Sequence, residues 1–147
     1  MNNGIRGTTI IRANNQNPEW NPTMSTRAEA LSQPLKLKNG TTIPNRFAKS
    51  AMSETLGTID NRMTKDLVRL YKTWAEGGTG LSITGNVMVD RRHIGEPRNV
   101  VIDDERDMAL LKEWAAAGSI GGAQLWMQLN HPGKQSPKML NKDPVSP

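Results

Sequence analysis

The sequence predicts an α/β fold built on a parallel sheet. Three observations carry that expectation. Short apolar runs alternate along the chain with two stretches that have helical spacing. Glycines punctuate the changeovers. Polar residues collect where each apolar run stops. Strands separated by helices need crossover connections, and those give parallel, right-handed βαβ units.

Taken in order, Leu35-Lys36-Leu37 alternates, Asn39-Gly40 follows, and Thr41-Thr42-Ile43 comes next. Asn-Gly between short alternating runs predicts an antiparallel hairpin with both turn residues at positive φ. Pro44 ends it. The run Arg46 to Met52 predicts a first strand over 47–52, followed by a loop rich in Gly, Thr and Asp from Glu54 to Arg62. Thr64 is a good N-cap and Asp66 suits a first helical turn. Leu67, Leu70, Tyr71 and Trp74 then fall at i, i+3, i+4 and i+7, one apolar face of a helix over 64–76. Gly77-Gly78 stops it.

Leu81-Ser82-Ile83 predicts a second strand over 81–84 that ends at Thr84-Gly85-Asn86. A polar loop spans Asp90 to Asn99. Asp103 or Asp104 caps a second helix over 104–117, with Leu111, Trp114 and Ala115 inward, and Gly118 ends it. Ala123 to Gln128 predicts the third strand. The remainder is rich in Pro, Lys and Ser and predicts no further element.

Two architectures satisfy this order. One is a small open sheet of three strands; the other is the opening of a (β/α)8 barrel. An intact barrel typically takes about 250 residues, and this chain has 147. A free three-stranded parallel sheet leaves an apolar edge and an uncovered face.

Composition narrows the function classes. Hydrophobic residues are only 35%, and the deficit concentrates at Asn14-Asn15-Gln16-Asn17-Pro18 and Asn21-Pro22. Residues 1–31 therefore read as a disordered or loosely attached extension, and 32–147 as the folded unit. Met24-Ser25-Thr26 would also suit a translation start. No apolar run approaches the ~18 residues of a membrane span, and the N-terminus lacks the apolar core of a secretory signal. A cytoplasmic protein without membrane association is expected.

Cysteine is absent, which excludes disulfides and thiolate metal sites. Two histidines alone give no expected metal site. The net charge is +5 and the pI about 9.8. With one Phe and one Tyr there are few stacking platforms, so no nucleic-acid partner is expected. An anionic small molecule fits the charge equally well. Gly77-Gly78-Thr79-Gly80 precedes a strand rather than a helix, the reverse of the order in phosphate-binding loops.

If the strands are parallel, three tips share one face: Ser50-Ala51-Met52-Ser53, Thr84-Gly85-Asn86 and Gln128-Leu129-Asn130-His131. That is where ligands bind in parallel α/β folds. The tips offer hydroxyls, a glycine backbone and a primary amide, but no strong acid, base or nucleophile. Gln can donate and accept at once, which suits the lactam or imide edge of a flat heterocycle. Gly85 would let a planar ring approach the backbone. Each residue also has a plainer reading. Ser and Thr at strand ends cap turns, Gly85 permits a bend, and Gln128 can satisfy a loop carbonyl. His131 before Pro-Gly is more often a structural hydrogen-bonder than a catalyst. The coincidence at three successive tips carries the functional expectation.

Several stretches together resemble the N-terminal part of the Old Yellow Enzyme family of FMN-dependent NAD(P)H:flavin oxidoreductases, or ene-reductases. They are Pro34-Leu35-Lys36-Leu37, Asn45-Arg46-Phe47, Ser50-Ala51-Met52-Ser53, Ala75-Glu76-Gly77-Gly78-Thr79-Gly80-Leu81, Thr84-Gly85 and Gln128 to Lys134. The similarity runs from about Leu31 to Pro147. It implies a (β/α)8 TIM barrel closed at the bottom by an N-terminal hairpin, with FMN across the C-terminal face. Carried over by motif, Ser50, Ala51 and Met52 would run beside the flavin ring. The Ser53 hydroxyl would reach its O4/N5 side, Gly85 would approach through its backbone, and Gln128 would bond the pyrimidine edge.

The resemblance further implies NAD(P)H as reductant and an activated alkene or similar electrophile as substrate. The family usually has Pro where Ala51 stands and Arg where Lys134 stands. Its substrate-anchoring, proton-donating and phosphate-binding residues come later than Pro147, so no catalytic residue is expected here. The expected partner is then the missing C-terminal barrel portion, with a homo-oligomer as a further expectation. The alternative is a non-catalytic partial barrel acting as a self-associating or partner-binding module.

Overall fold

The computed structural model describes residues 27–145. The extension expected at 1–31 lies outside that range except for its end. There the chain is already regular: helix α1 spans Arg27–Ser32. The Arg46 N–H donates to the Leu31 carbonyl at 2.8 Å, and the Arg46 guanidinium donates to the carbonyls of Gln33 and Pro34, each at 3.1 Å.

The hairpin forms as expected. Strands β1, Leu35–Lys36, and β2, Thr42–Ile43, pair antiparallel with Leu35 opposite Ile43. Its turn differs from the expected one. Gly40 alone takes a positive φ, at 90°, and Asn39 does not. The Gly40 N–H donates to the Leu37 carbonyl at 3.0 Å, and the Leu37 N–H to the Thr41 carbonyl at 2.8 Å. That is the longer hairpin connection in which a turn is followed by one left-handed glycine. The Asn39 carboxamide accepts from the Thr41 N–H instead of allowing a two-residue loop.

Strand β3 is shorter than 47–52, holding only Ala48–Lys49. Helix α2, Lys65–Glu76, is capped by Thr64, whose hydroxyl accepts from the Leu67 N–H. Leu67 and Tyr71 are buried, while Leu70 and Trp74 are half-buried. Strand β4, Leu81–Met88, runs well past the expected end at Thr84. Its pairing shifts register between Ile83 and Asn86. A bulge there keeps a strand going after an extra residue and increases its twist.

Strand β5, Val100–Val101, was not expected. It continues the loop 90–99 into two buried β-branched residues. Helix α3, Met108–Gly118, starts later than either expected cap, because Asp107 holds the N-cap position. Its inner face is Trp114, Ala117 and Gly118, and Ala115 points to solvent. Gly118 belongs to that face because a Cβ there would lie 2.6 Å from Leu125 Cδ2. Strand β6, Gln124–Asn130, follows. A short 3-10 turn at Gly133–Gln135 then occupies the stretch expected to be featureless.

All strand pairs in the main sheet are parallel. β6 lies along one edge of β4, from Leu81 opposite Gln124 to Met88 opposite Asn130. β3 and β5 share the other edge, at Leu81–Ser82 and Val87–Met88 respectively. Helices α2 and α3 pack on each other and on this sheet. Between them lies the core of Met63, Leu67, Tyr71, Val87, Val100 and Trp114. A second cluster, Met88, Ile94 and Val101, sits under the loops at the C-terminal ends of the strands.

Candidate functional site

Parallel pairing puts the ends of β3, β4 and β6 on one side of the sheet, and the loops that follow them meet there. Ser50, Met52 and Ser53 follow β3 and are exposed, with Ala51 half-buried. Asn86, past the bulge in β4, donates from Nδ2 to Ser53 Oγ at 3.3 Å. Asn86 also stands opposite Gln128 in the β4–β6 register. A hydroxyl and two primary amides are thus carried on adjacent chains. The expected convergence of Ser53, Gly85 and Gln128 is a neighbourhood, with Asn86 as its connecting residue. Sequence reading placed Asn86 at the tip but gave it no role; its carboxamide was the available signal.

Thr84 repairs the ladder at the bulge. Its hydroxyl accepts from the Gln128 N–H at 2.9 Å and donates to the Gly85 carbonyl at 2.8 Å. Thr84 is 1% exposed, so a missing backbone bond there would have no water to replace it. The Gln128 backbone is in this way fixed by a side chain of β4.

Gly85 is glycine for a different reason from the one expected. A Cβ on it would collide with the Met52 carbonyl oxygen and with Glu54 Oε2. The space beside Gly85 is filled by the loop that follows β3. The Gly85 N–H is also spoken for: it donates to Glu54 Oε1 at 3.1 Å and to Tyr71 Oη at 3.2 Å.

Beneath this contact lies a buried polar cluster that sequence reading missed. Tyr71 Oη donates to Glu54 Oε1. Lys49 Nζ donates to the Ile83 carbonyl at 2.7 Å and to Tyr71 Oη at 3.3 Å, and stands 3.6 Å from Glu54 Oε1. The Lys49 and Glu54 side chains are each 11% exposed. The ammonium also lies 4.7 Å from the Trp74 ring centre, a cation–π distance. Burial lowers the Lys49 pKa, and Glu54 pulls it back up. Burial raises the Tyr71 pKa strongly, reinforced by its bond to Glu54, so the phenol stays protonated and donates. The chain offers no local periodicity for this group: Lys49 sits on a strand, Glu54 in a loop and Tyr71 on a helix.

His131 takes the plainer of its two readings. Its Nδ1 accepts from the Gly133 N–H at 3.1 Å, closing the Pro132-Gly133 turn. Its ring lies 4.8 Å from that of His93, which is buried. Among the described residues no cluster of His, Asp or Glu has the makings of a metal site.

Residues 30–147 match the NADH:flavin oxidoreductase / NADH oxidase family. The chain belongs to that family. The NADH-dependent flavin oxidoreductase iccE of Talaromyces variabilis is 39% identical over 111 residues, 73% of this chain and 27% of that protein. The NADH-dependent flavin oxidoreductase iliE of Hypocrea jecorina is 37% identical over 110 residues, 72% of this chain and 27% of its own length. The chain therefore spans about a quarter of these curated family members.

Among solved structures, the old yellow enzyme from Trypanosoma cruzi superposes with a TM-score of 0.68 at 22% identity, over 76% of this chain and 29% of that one. Morphinone reductase gives 0.68 at 23% identity, over 78% and 29%. These likenesses establish the fold class: the described residues are part of a (β/α)8 barrel, with a parallel sheet that does not close into a barrel. Of the two architectures the sequence left open, the barrel opening is the one found. No helix among the described residues is long and apolar enough to cross a membrane.

Proposed function

We propose that this chain supplies the ring-facing part of an FMN-dependent NAD(P)H oxidoreductase that reduces activated alkenes or related electrophiles. Ser50, Ala51, Met52, Ser53, Gly85 and Gln128 are its cofactor-side residues, and the remainder of the barrel supplies the substrate and phosphate contacts. One observation supports this reading above the others. Ser53, Asn86 and Gln128 are linked by hydrogen bond and register at the C-terminal ends of parallel strands, where such barrels bind ligands.

The donor set fits a flavin. Two carboxamides and a hydroxyl can match the alternating donors and acceptors of an imide edge. The Gly85 N–H is already bonded to Glu54, so in this reading Gly85 acts through its position and leaves direct donation to its neighbours. The chemistry FMN supplies when bound is acceptance of hydride from a nicotinamide and its donation to an electron-poor carbon. The protein's part is to hold the ring by its polar edge and shield one face. The names of the Talaromyces and Hypocrea relatives favour NADH over NADPH as reductant. A cytoplasmic location remains part of this proposal.

The phosphate site of these barrels is typically built after strands 7 and 8, which this chain does not contain. Four charge-assisted bonds at ~1.5 kcal/mol each come to ~6 kcal/mol, or about four decades of affinity. The isolated chain should bind FMN weakly and show no turnover. The test is an FMN titration followed by amide NMR, with an NADH-driven alkene reduction assay. Shifts at Ser53, Asn86 and Gln128 without turnover support the proposal. Absence of any shift there at millimolar FMN overturns the site, and tight binding with turnover overturns the division of labour.

The second reading is a non-catalytic module that associates through its open sheet. Trp126, Met127 and Leu129 on β6 are 40%, 43% and 65% exposed, which favours it. The two readings part on flavin binding.

A further inference from the structure

The buried cluster below Gly85 performs no step in the function proposed above, yet it joins two segments of the site, the loop after β3 and the bulge of β4. Glu54 accepts from Tyr71 Oη and the Gly85 N–H, with the Lys49 ammonium 3.6 Å away. Tyr71 Oη spends its proton on Glu54 and accepts from Lys49 and Gly85. Lys49 reaches on to the Ile83 carbonyl at the start of the bulge. The cluster therefore ties the loop after β3 to the irregular turn of β4 by charge-assisted bonds, which are the strong kind.

Two features mark how closely the loop is confined beside this tie. Thr55, directly after Glu54, takes φ 52°, a left-handed conformation costly for a β-branched residue. The Met52 carbonyl lies against Gly85 with no room for a side chain between them. Both place Met52 and Ser53 where Asn86 can reach Ser53 Oγ.

We infer that Lys49, Glu54 and Tyr71 are positioning residues for the flavin ring: they fix the Ser50–Ser53 segment against Gly85 and so set the spacing between Ser53 and Gln128. This rests on the reading of those residues as the ring site. None of the three side chains needs to touch the flavin. Their contribution is to remove the freedom of the loop before the ring arrives.

The experiment uses the whole 147-residue chain, with FMN as probe. Tyr71→Phe keeps the ring packed edge-on against Trp74 and Trp114, 4.8 and 5.2 Å between centres, and removes only the hydroxyl. Glu54→Gln removes the charge. Amide NMR reports the Gly85 and Ser53 positions without flavin, and the FMN titration reports the ring site. The expected result is that both variants move the Gly85 and Ser53 resonances, weaken FMN about tenfold and change the visible flavin band shape, while the α3 and β6 resonances far from position 71 stay in place. A purely structural role would leave the band shape of bound flavin unchanged. If Glu54→Gln fails to fold, Tyr71→Phe carries the test alone. Unaltered FMN affinity and band shape in folded variants overturn the inference while the wild-type chain still binds. Failure of the wild-type chain to bind FMN at all overturns the ring site and the inference with it.

Discussion

The carboxamide of Asn141 closes a two-bond clamp on the backbone of Ile94. Its Oδ1 accepts from the Ile94 N–H at 2.6 Å and its Nδ2 donates to the Ile94 carbonyl at 2.8 Å. Nδ2 also reaches the Pro137 carbonyl at 3.0 Å. Asn141 and Ile94 are 3% and 6% exposed, so neither backbone group has water as an alternative. This side chain, with the His93–His131 ring contact, joins the loop after β4 to the loop after β6.

Asn141→Ala should therefore leave two buried backbone groups without partners. At ~1–3 kcal/mol for each orphaned group, the loss should be about 2–6 kcal/mol. Asn141→Asp keeps the acceptor and loses the donor, and should fall between. Urea unfolding of the two variants checks the order; equal midpoints for wild type and Asn141→Ala would refute it.

Gly85→Ala should destabilise the chain although alanine is the smallest possible addition. Its methyl meets the Met52 carbonyl oxygen and the Glu54 carboxylate, one of them backbone and the other pinned by Tyr71. Overpacking of this kind typically costs about 1–3 kcal/mol. The companion Gly78→Ala places its methyl in open space but at φ 89°, and separates conformational cost from collision. Thermal melts showing Gly85→Ala no less stable than wild type would count against the packing described.

Acid should loosen the anchor between the loop after β3 and helix α3. Arg62 Nε donates to the two Asp107 oxygens at 3.1 and 3.2 Å, its Nη2 pairs with Oδ1, and the Met63 N–H donates to Oδ2 at 3.2 Å. These bonds, the Arg62 ones foremost, hold the Asp107 pKa below its ordinary 3.8. A depressed carboxylate contributes stability that is fully present above the unfolded-state pKa and is lost as pH falls through the folded-state value. Unfolding midpoints should thus be flat in this respect above about pH 4 and drop below it. Asp107→Asn should be less stable at neutral pH and lose part of the acid dependence. An identical acid limb in the variant would show that other carboxylates govern it.

Self-association should increase with concentration, because β6 has no partner on its outer edge among the described residues and carries Leu129 at 65% exposure. Unpaired edge strands pair readily with other chains. Leu129→Lys should shift sedimentation toward the monomer while leaving the α2–α3 core intact. Concentration-independent monomer for the wild-type chain would contradict this expectation.

Local signals made the hairpin, both crossover helices and the parallel order readable from the sequence. Asn39-Gly40, Thr64 with Leu67 and Tyr71, and the Gly77-Gly78 stop each act within a few residues. What escaped depends on partners far along the chain. Val100-Val101 is a two-residue strand after a polar loop, and only its pairing with Val87 and Met88 reveals it. β4 appeared to stop at Thr84 because glycine and asparagine follow, yet the Thr84 hydroxyl lets the ladder continue. Asp107 replaced the expected caps because Arg62, 45 residues earlier, holds its carboxylate.

The candidate site divides the same way. The residue types at the three tips were legible, since hydroxyls and amides stand out after apolar runs. The reason for Gly85 was not. It lies in Glu54, 31 residues away in sequence, and nothing near Glu54 marks it as buried. Lys49 within a strand gave no warning either, because its partners come from α2 and from the backbone of Ile83.

Strand β4 has neighbours on both edges, β6 along its length and β3 and β5 in turn on the other. Fraying of any one neighbour leaves it held by the rest, while its own departure would strip pairing from all of them. Its central amides should be the last to trade hydrogen for deuterium, and the outer strands should do so by smaller, separate openings. The thread that crosses beneath the site is also the molecule's last point of failure.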